Sequence, residues 1–243
     1  MVGLGTLINV GLILAGSLLG LWVGHLLAPN FRVLITDVLG LVTGIGAVSA
    51  AAQVSNPDLV AAIGSSAPIL VILASLLIGG GIGYALKIED RLDSLGQRIQ
   101  KRYSKDQNDN FVLGFVSASL LFCIGPLAIL GAFDDALGLG IDKLVLKSTL
   151  DFFAAIAFAA SFGWGVALSA LAVGIYQGVL TGLGLVLGSI WNDAQIAAMA
   201  AVGGLMLMGI SLKLLNIKQI AIGNLLPALF VAPALVWLVS FLN

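Results

Sequence analysis

The stretch KSTLDFFAAIAFAASFGWGVALSALAVGIYQGVL, residues 147–180, decides how the chain must fold. It is almost wholly apolar, yet it holds one carboxylate, Asp151, and one amide, Gln177. A run this long and this apolar exceeds what a soluble core helix needs and matches the ~20 residues of a bilayer span. The rest of the chain agrees. Of 243 residues, 60% are hydrophobic and 9% charged, and the mean hydropathy is +1.12. Soluble domains carry about 25% charged residues. With so little polar surface, lipid has to solvate most side chains, and lipid admits only helices or closed barrels.

Eight apolar segments emerge, over 4–27, 33–53, 66–86, 111–132, 144–162, 164–190, 195–212 and 221–242. The expectation is an all-α polytopic membrane bundle in a single transmembrane domain. The fifth segment is the weakest, because Lys143 and Lys147 shorten its apolar part; a re-entrant segment is its alternative. The N-terminus lacks a basic region and a cleavage site, so it reads as a first span rather than a signal peptide. Lysine and arginine favour the cytoplasmic side. With both termini outside, nine of the eleven basic residues fall on inner loops, and only Lys143 and Lys147 fall outside. The polar connector 87–110 sets Ile88, Leu92, Leu95 and Ile99 on one helical face. It predicts an amphipathic cytoplasmic helix, either touching lipid or a partner or serving as a solvated linker.

Two regions repeat. At an offset of 158, Gly5, Gly16, Gly20 and Gly24 match Gly163, Gly174, Gly178 and Gly182. At an offset of 159, IGSSAPILV (63–71) matches IGNLLPALF (222–230), with Pro68 and Pro227 in register. Segments one to three (repeat A, 4–86) therefore resemble segments six to eight (repeat B, 163–243), around central segments 111–162. Equivalent segments lie five spans apart and must cross in opposite directions. Such inverted repeats build many secondary transporters, with the site at the repeat interface near the midplane. The two glycine stripes also permit close helix packing, within one chain or between copies in a homo-oligomer.

Polar residues inside spans mark candidate sites. A carboxylate at mid-span costs about 2.5–3.5 kcal/mol on insertion scales. Asp151 either pairs with Lys147, one turn earlier, or serves a cation or a proton. Asn9 and Gln177 lie on repeat-mate segments and are expected at one central interface, with Tyr176 beside them. Asn224, between Gly223 and Pro227, is expected to cap a helix N-terminus and to line the central site with Asp151, Asn9 and Gln177. Gly125–Pro126 interrupts the fourth segment, as a break or a kink. Asp134, Asp135 and Asp142 read as a solvated outer loop. Walker, HExxH and GxSxG motifs are absent, and the lone His25 and lone Cys123 point to neither a metal centre nor a disulfide. The net charge of -1 gives no reason to expect nucleic acid. No cofactor and no enzymatic activity are expected.

LLFCIGPLAILG (120–131), the 147–178 stretch and GNLLPALFVAP (223–233) resemble the YqgA/YdfK-like family of bacterial inner-membrane proteins, as does GTLINVGLILAGSLLG near the start. The likeness runs over nearly the whole chain. It implies a bacterial plasma membrane and a transport role, with no substrate named. It also implies a glutamate near the start of segment seven, where this chain has Ala198. The leading expectation is a secondary transporter or channel for a small polar solute or ion. The alternative is a structural or partner-binding membrane protein.

Overall fold

The computed structural model describes residues 2–103, 110–124, 126–187 and 191–242. Eleven α-helices carry them: α1 (Leu4–Gly24), α2 (Pro29–Ala51), α3 (Pro57–Ile63), α4 (Ala67–Ala85), α5 (Ile88–Tyr103), α6 (Asn110–Cys123), α7 (Pro126–Leu137), α8 (Asp142–Phe162), α9 (Gly165–Leu187), α10 (Asp193–Leu214) and α11 (Ala228–Leu242). Short 3-10 turns follow α2 and precede α11. No strand occurs among the described residues. Seven helical stretches are long and apolar enough to cross a membrane, and α6 with α7 forms an eighth, bent by 58°. The weak fifth segment is in fact a continuous 21-residue helix, α8. The discontinuity lies in the fourth segment instead. Gly125, expected to cause it, falls outside the described residues, while Pro126 opens α7, where its missing N–H costs nothing. The connector is helical over Ile88–Tyr103, as its periodicity predicted.

The chain divides into two compact units, one of residues 1–39 and 92–190, the other of 40–91 and 191–243. In the first, α1 lies along α8 at the closest approach glycine allows. A Cβ on Gly16 would stand 2.5 Å from the Phe152 carbonyl oxygen; one on Gly20 would collide with the Ile156 carbonyl, and one on Gly24 would press on Ala160. Gly5 meets Leu144 at the other end, so α1 and α8 run parallel. Gly165 meets Phe111, and Gly184 meets Phe133 and Ala136, so α9 runs parallel to the α6–α7 pair. Asp135 joins the two pairs by accepting hydrogen bonds from the backbone N–H groups of Gly3 and Gly5, at 3.2 and 3.0 Å. The α1 start thus sits level with the α9 end, and α1 and α9 are antiparallel. This corrects the reading of Asp135 as part of a solvated loop. α7 continues through it, and the buried carboxylate satisfies the orphan N–H groups and the positive dipole end of α1. Asp134 pairs with Lys143. At the other end of α1, Arg32 donates to the Gly24 carbonyl at 2.6 Å.

In the second unit, Gly40 meets Leu214 and Leu215, Gly44 meets Ser211, and Gly204 meets Ala47, Ala50 and Ala51. The later part of α2 and α10 are therefore antiparallel. Gly79 meets Ala228 and Gly83 meets Asn224, so α4 and α11 are antiparallel too. Pro68 stands in the first turn of α4, and Pro227 immediately precedes α11.

Candidate functional site: a buried polar cluster in the first unit

Asp151 begins the tenth position of α8, about 14 Å from its start and about 16 Å from its end at 1.5 Å per residue. One turn earlier on the same face stands Lys147. The two form an ion pair, and both are buried, with 6% and 7% of their surface exposed. The Asn9 amide of α1 lies beside the Asp151 carboxylate. Asn9 is fully buried, and it reaches that carboxylate without a hydrogen bond of ordinary length and angle. Gln177 of α9 is equally buried and unpartnered at both atoms. A Cβ on Gly174 would stand 3.2 Å from Val10, and α1 and α9 are antiparallel. Gln177 therefore falls at the level of Thr6 and Asn9.

The end of α6 belongs to the same cluster. Cys123, its last residue, lies within electrostatic range of Lys147 and Asp151, and Tyr176 within range of Cys123. Three helices thus meet near one level: α8 supplies a charge pair, and α1 and α9 supply amides, with the end of α6 nearby.

Further buried hydroxyls without a partner lie along the same helices: Thr6 and Ser17 on α1, Ser117 and Ser119 on α6, and the Tyr176 phenol and Thr181 on α9. The initial sequence reading passed over most of these, although Thr6 precedes Asn9 by three residues and Thr181 follows Gln177 by four, the spacings that share a helix face. In native proteins nearly all buried polar groups are hydrogen-bonded. Such a concentration implies occupancy by water or by a ligand.

Asn224, expected to line the central site and to cap the helix that follows it, belongs to the second unit and caps the start of α5 instead: its Oδ1 accepts from the Glu89 N–H at 3.0 Å. Glu89 replies by accepting from the Gly223 N–H at 2.5 Å, and Lys213 stands 3.5 Å from its other carboxylate oxygen. The glycine stripes part company as well. That of α1 is filled by α8, whereas Gly178 and Gly182 of α9 are exposed with nothing within 4 Å of a Cβ. Two grooves in the second unit, of about 530 and 370 Å³, have apolar walls, one along Ile78, Pro227 and Trp237 and the other along Val54, Leu73 and Leu205. No group of three or more metal-binding side chains occurs among the described residues.

The sequence was compared with known proteins. Residues 4–237 match the family described as "Protein of unknown function (DUF554)". An uncharacterized membrane protein of Bacillus subtilis (strain 168), YdfK, is 31% identical over 235 residues, covering 97% of this chain and 96% of its own. The uncharacterized protein YqgA of Escherichia coli (strain K12) is 29% identical over 234 residues, covering 94% of each. No solved structure matches the chain significantly. The resemblance read from the helix-break, Asp151 and Asn224 motifs is therefore borne out, and this multi-pass membrane protein belongs to the DUF554 family.

Proposed function

We propose that the protein is a secondary transporter or channel for a small polar solute or ion, which it moves without chemical conversion. The observation that carries this reading is the concentration of buried, unpartnered polar atoms beside the Lys147–Asp151 pair and along the same helices in one unit. Polar residues are costly in a membrane and mark pathways there. A discontinuous helix is a recurrent device for holding a substrate.

The repeat expected from the sequence supports the reading. Its expected mates α2 and α10 pack antiparallel, and so do α4 and α11, as an inverted repeat would require. Asn9 and Gln177 lie on the third pair of mates, α1 and α9. Helix direction supports eight spans: with α2 and α4 each crossing once, α8 would run parallel to α1 if the α6–α7 pair also crosses. That pair covers the stretch of α9 from Gly165 to Gly184, about 28 Å, close to the ~30 Å hydrocarbon core. Charge bias then puts both termini outside and loop 87–110 in the cytoplasm of a bacterial cell, with the protein in the plasma membrane.

The test is solute and ion flux into proteoliposomes, with Asp151→Asn alongside. Flux that disappears in a folded Asp151→Asn protein is the expected outcome; flux that survives it would overturn the assignment. A second reading, a scaffold or partner-binding membrane protein, draws on the open glycine face of α9, which suits close approach by another helix, including one from a second copy. It predicts assembly that depends on Gly178 and no flux.

A further inference from the structure

We infer that the substrate is a small zwitterion, its ammonium taken by Asp151 and its carboxylate by Lys147. The inference rests on the transport reading above and adds the substrate's charge. Its basis is charge balance at a buried pair. Among the described residues the ion pair of the cluster is Lys147–Asp151, and both members are buried. From α6, Cys123 lies near the pair, and from α9, Tyr176 lies near Cys123. From α1 comes the Asn9 amide, and Asp135 of α7 is already held by the N–H groups of Gly3 and Gly5.

A cation bound at Asp151 would strand Lys147, and an anion bound at Lys147 would strand Asp151. Leaving one partner of a buried pair uncompensated costs about 3–5 kcal/mol. A neutral solute would leave the pair intact and gain nothing from it. A zwitterion can open the pair and re-pair both charges. The flexible lysine stem, on the same helix face as the aspartate, lets the pair open without moving the backbone. The neighbouring unpartnered groups fit both halves of such a ligand. Amide oxygens of Asn9 and Gln177 suit an ammonium. Their amide N–H groups and the Tyr176 hydroxyl suit a carboxylate.

The experiment compares ligands of one size. Purified full-length protein is heated with L-alanine, with propionate, with ethylammonium, and with sodium or potassium chloride, and the shift in unfolding temperature is titrated. Asp151→Asn and the neutral double variant Lys147→Gln/Asp151→Asn are run alongside; the double variant leaves no stranded charge, so it keeps the fold. Alanine is expected to stabilise the wild type, binding about a hundredfold more tightly than propionate or ethylammonium. Both variants are expected to lose that response. If propionate, ethylammonium or an alkali cation stabilises as well as alanine, and Asp151→Asn abolishes it, the zwitterion is wrong while the transport site stands. If no probe stabilises the protein, the zwitterion is again overturned; the transport reading falls with it only if proteoliposomes also show no flux.

Discussion

The two units close their helices by the same means and treat polar groups in opposite ways. In each, glycines let backbones touch: Gly16 and Gly20 against α8 in the first, Gly79 and Gly83 against the start of α11 in the second. In the second, buried polar side chains find partners. Ser75 donates to the Val71 carbonyl, Ser211 to the Gly40 carbonyl and Gln195 to the Pro233 carbonyl, and Glu89 closes on Gly223 and Lys213. In the first, buried side-chain atoms without a partner accumulate beside an ion pair and further along the same helices, and every such described atom falls in that unit.

The largest effect is expected where the units are alike. Gly20→Leu would drive a side chain into the Ile156 carbonyl, and Gly83→Leu into the Asn224 carbonyl. Backbone cannot yield as a side-chain tip can, so each should cost more than about 4 kcal/mol and prevent accumulation of folded protein. Gly178→Leu, at the position the sequence aligns with Gly20, meets open space and should change stability by less than about 0.5 kcal/mol. Expression and thermal unfolding of the three would check this. Equal damage from Gly178→Leu would mean that the α9 face is covered.

These two stripes also show what was legible and what was not. Hydropathy placed the spans because lipid imposes a length. Polar residues in apolar runs pointed to Asp151, Asn9 and Gln177 because lipid penalises them wherever they stand. Face spacing, however, is the same for Gly16, Gly20 and Gly24 as for Gly174, Gly178 and Gly182, and it says nothing about which face a neighbour covers. Asp135 and Glu89 escaped for a related reason. Each holds backbone N–H groups more than a hundred residues away, and no local pattern marks such a partner.

The next effect lies inside the first unit. Asp151→Ala leaves Lys147 charged, buried and alone, and should destabilise the protein by about 3 kcal/mol. Lys147→Met combined with Asp151→Leu removes both charges and should recover most of that loss, without recovering function. Thermal unfolding of the single and double variants checks the coupling. A smaller effect is expected in the second unit. Glu89→Gln weakens the hydrogen bond to the Gly223 N–H and the attraction to Lys213, a loss of about 2 kcal/mol. Any ligand response centred on Asp151 should persist. A response lost with Glu89 would move the site or couple it to the second unit.

The smallest effect carries the opposite sign and separates the units most sharply. Gln177 is fully buried, and neither its amide oxygen nor its nitrogen has a partner. Holding such a group in the empty protein costs free energy, because its lost hydration is not replaced. Methionine has nearly the same length and volume, and no polar head to satisfy. Gln177→Met should therefore raise stability by about 1 kcal/mol while weakening the response to whatever ligand the cluster accepts. Applied to Gln195 of the second unit, which donates to the Pro233 carbonyl and completes the Asn192 cap, the same substitution should destabilise. If Gln177→Met also destabilises, Gln177 is a structural amide like Gln195, and the contrast between a closed unit and an unsatisfied one fails at its centre.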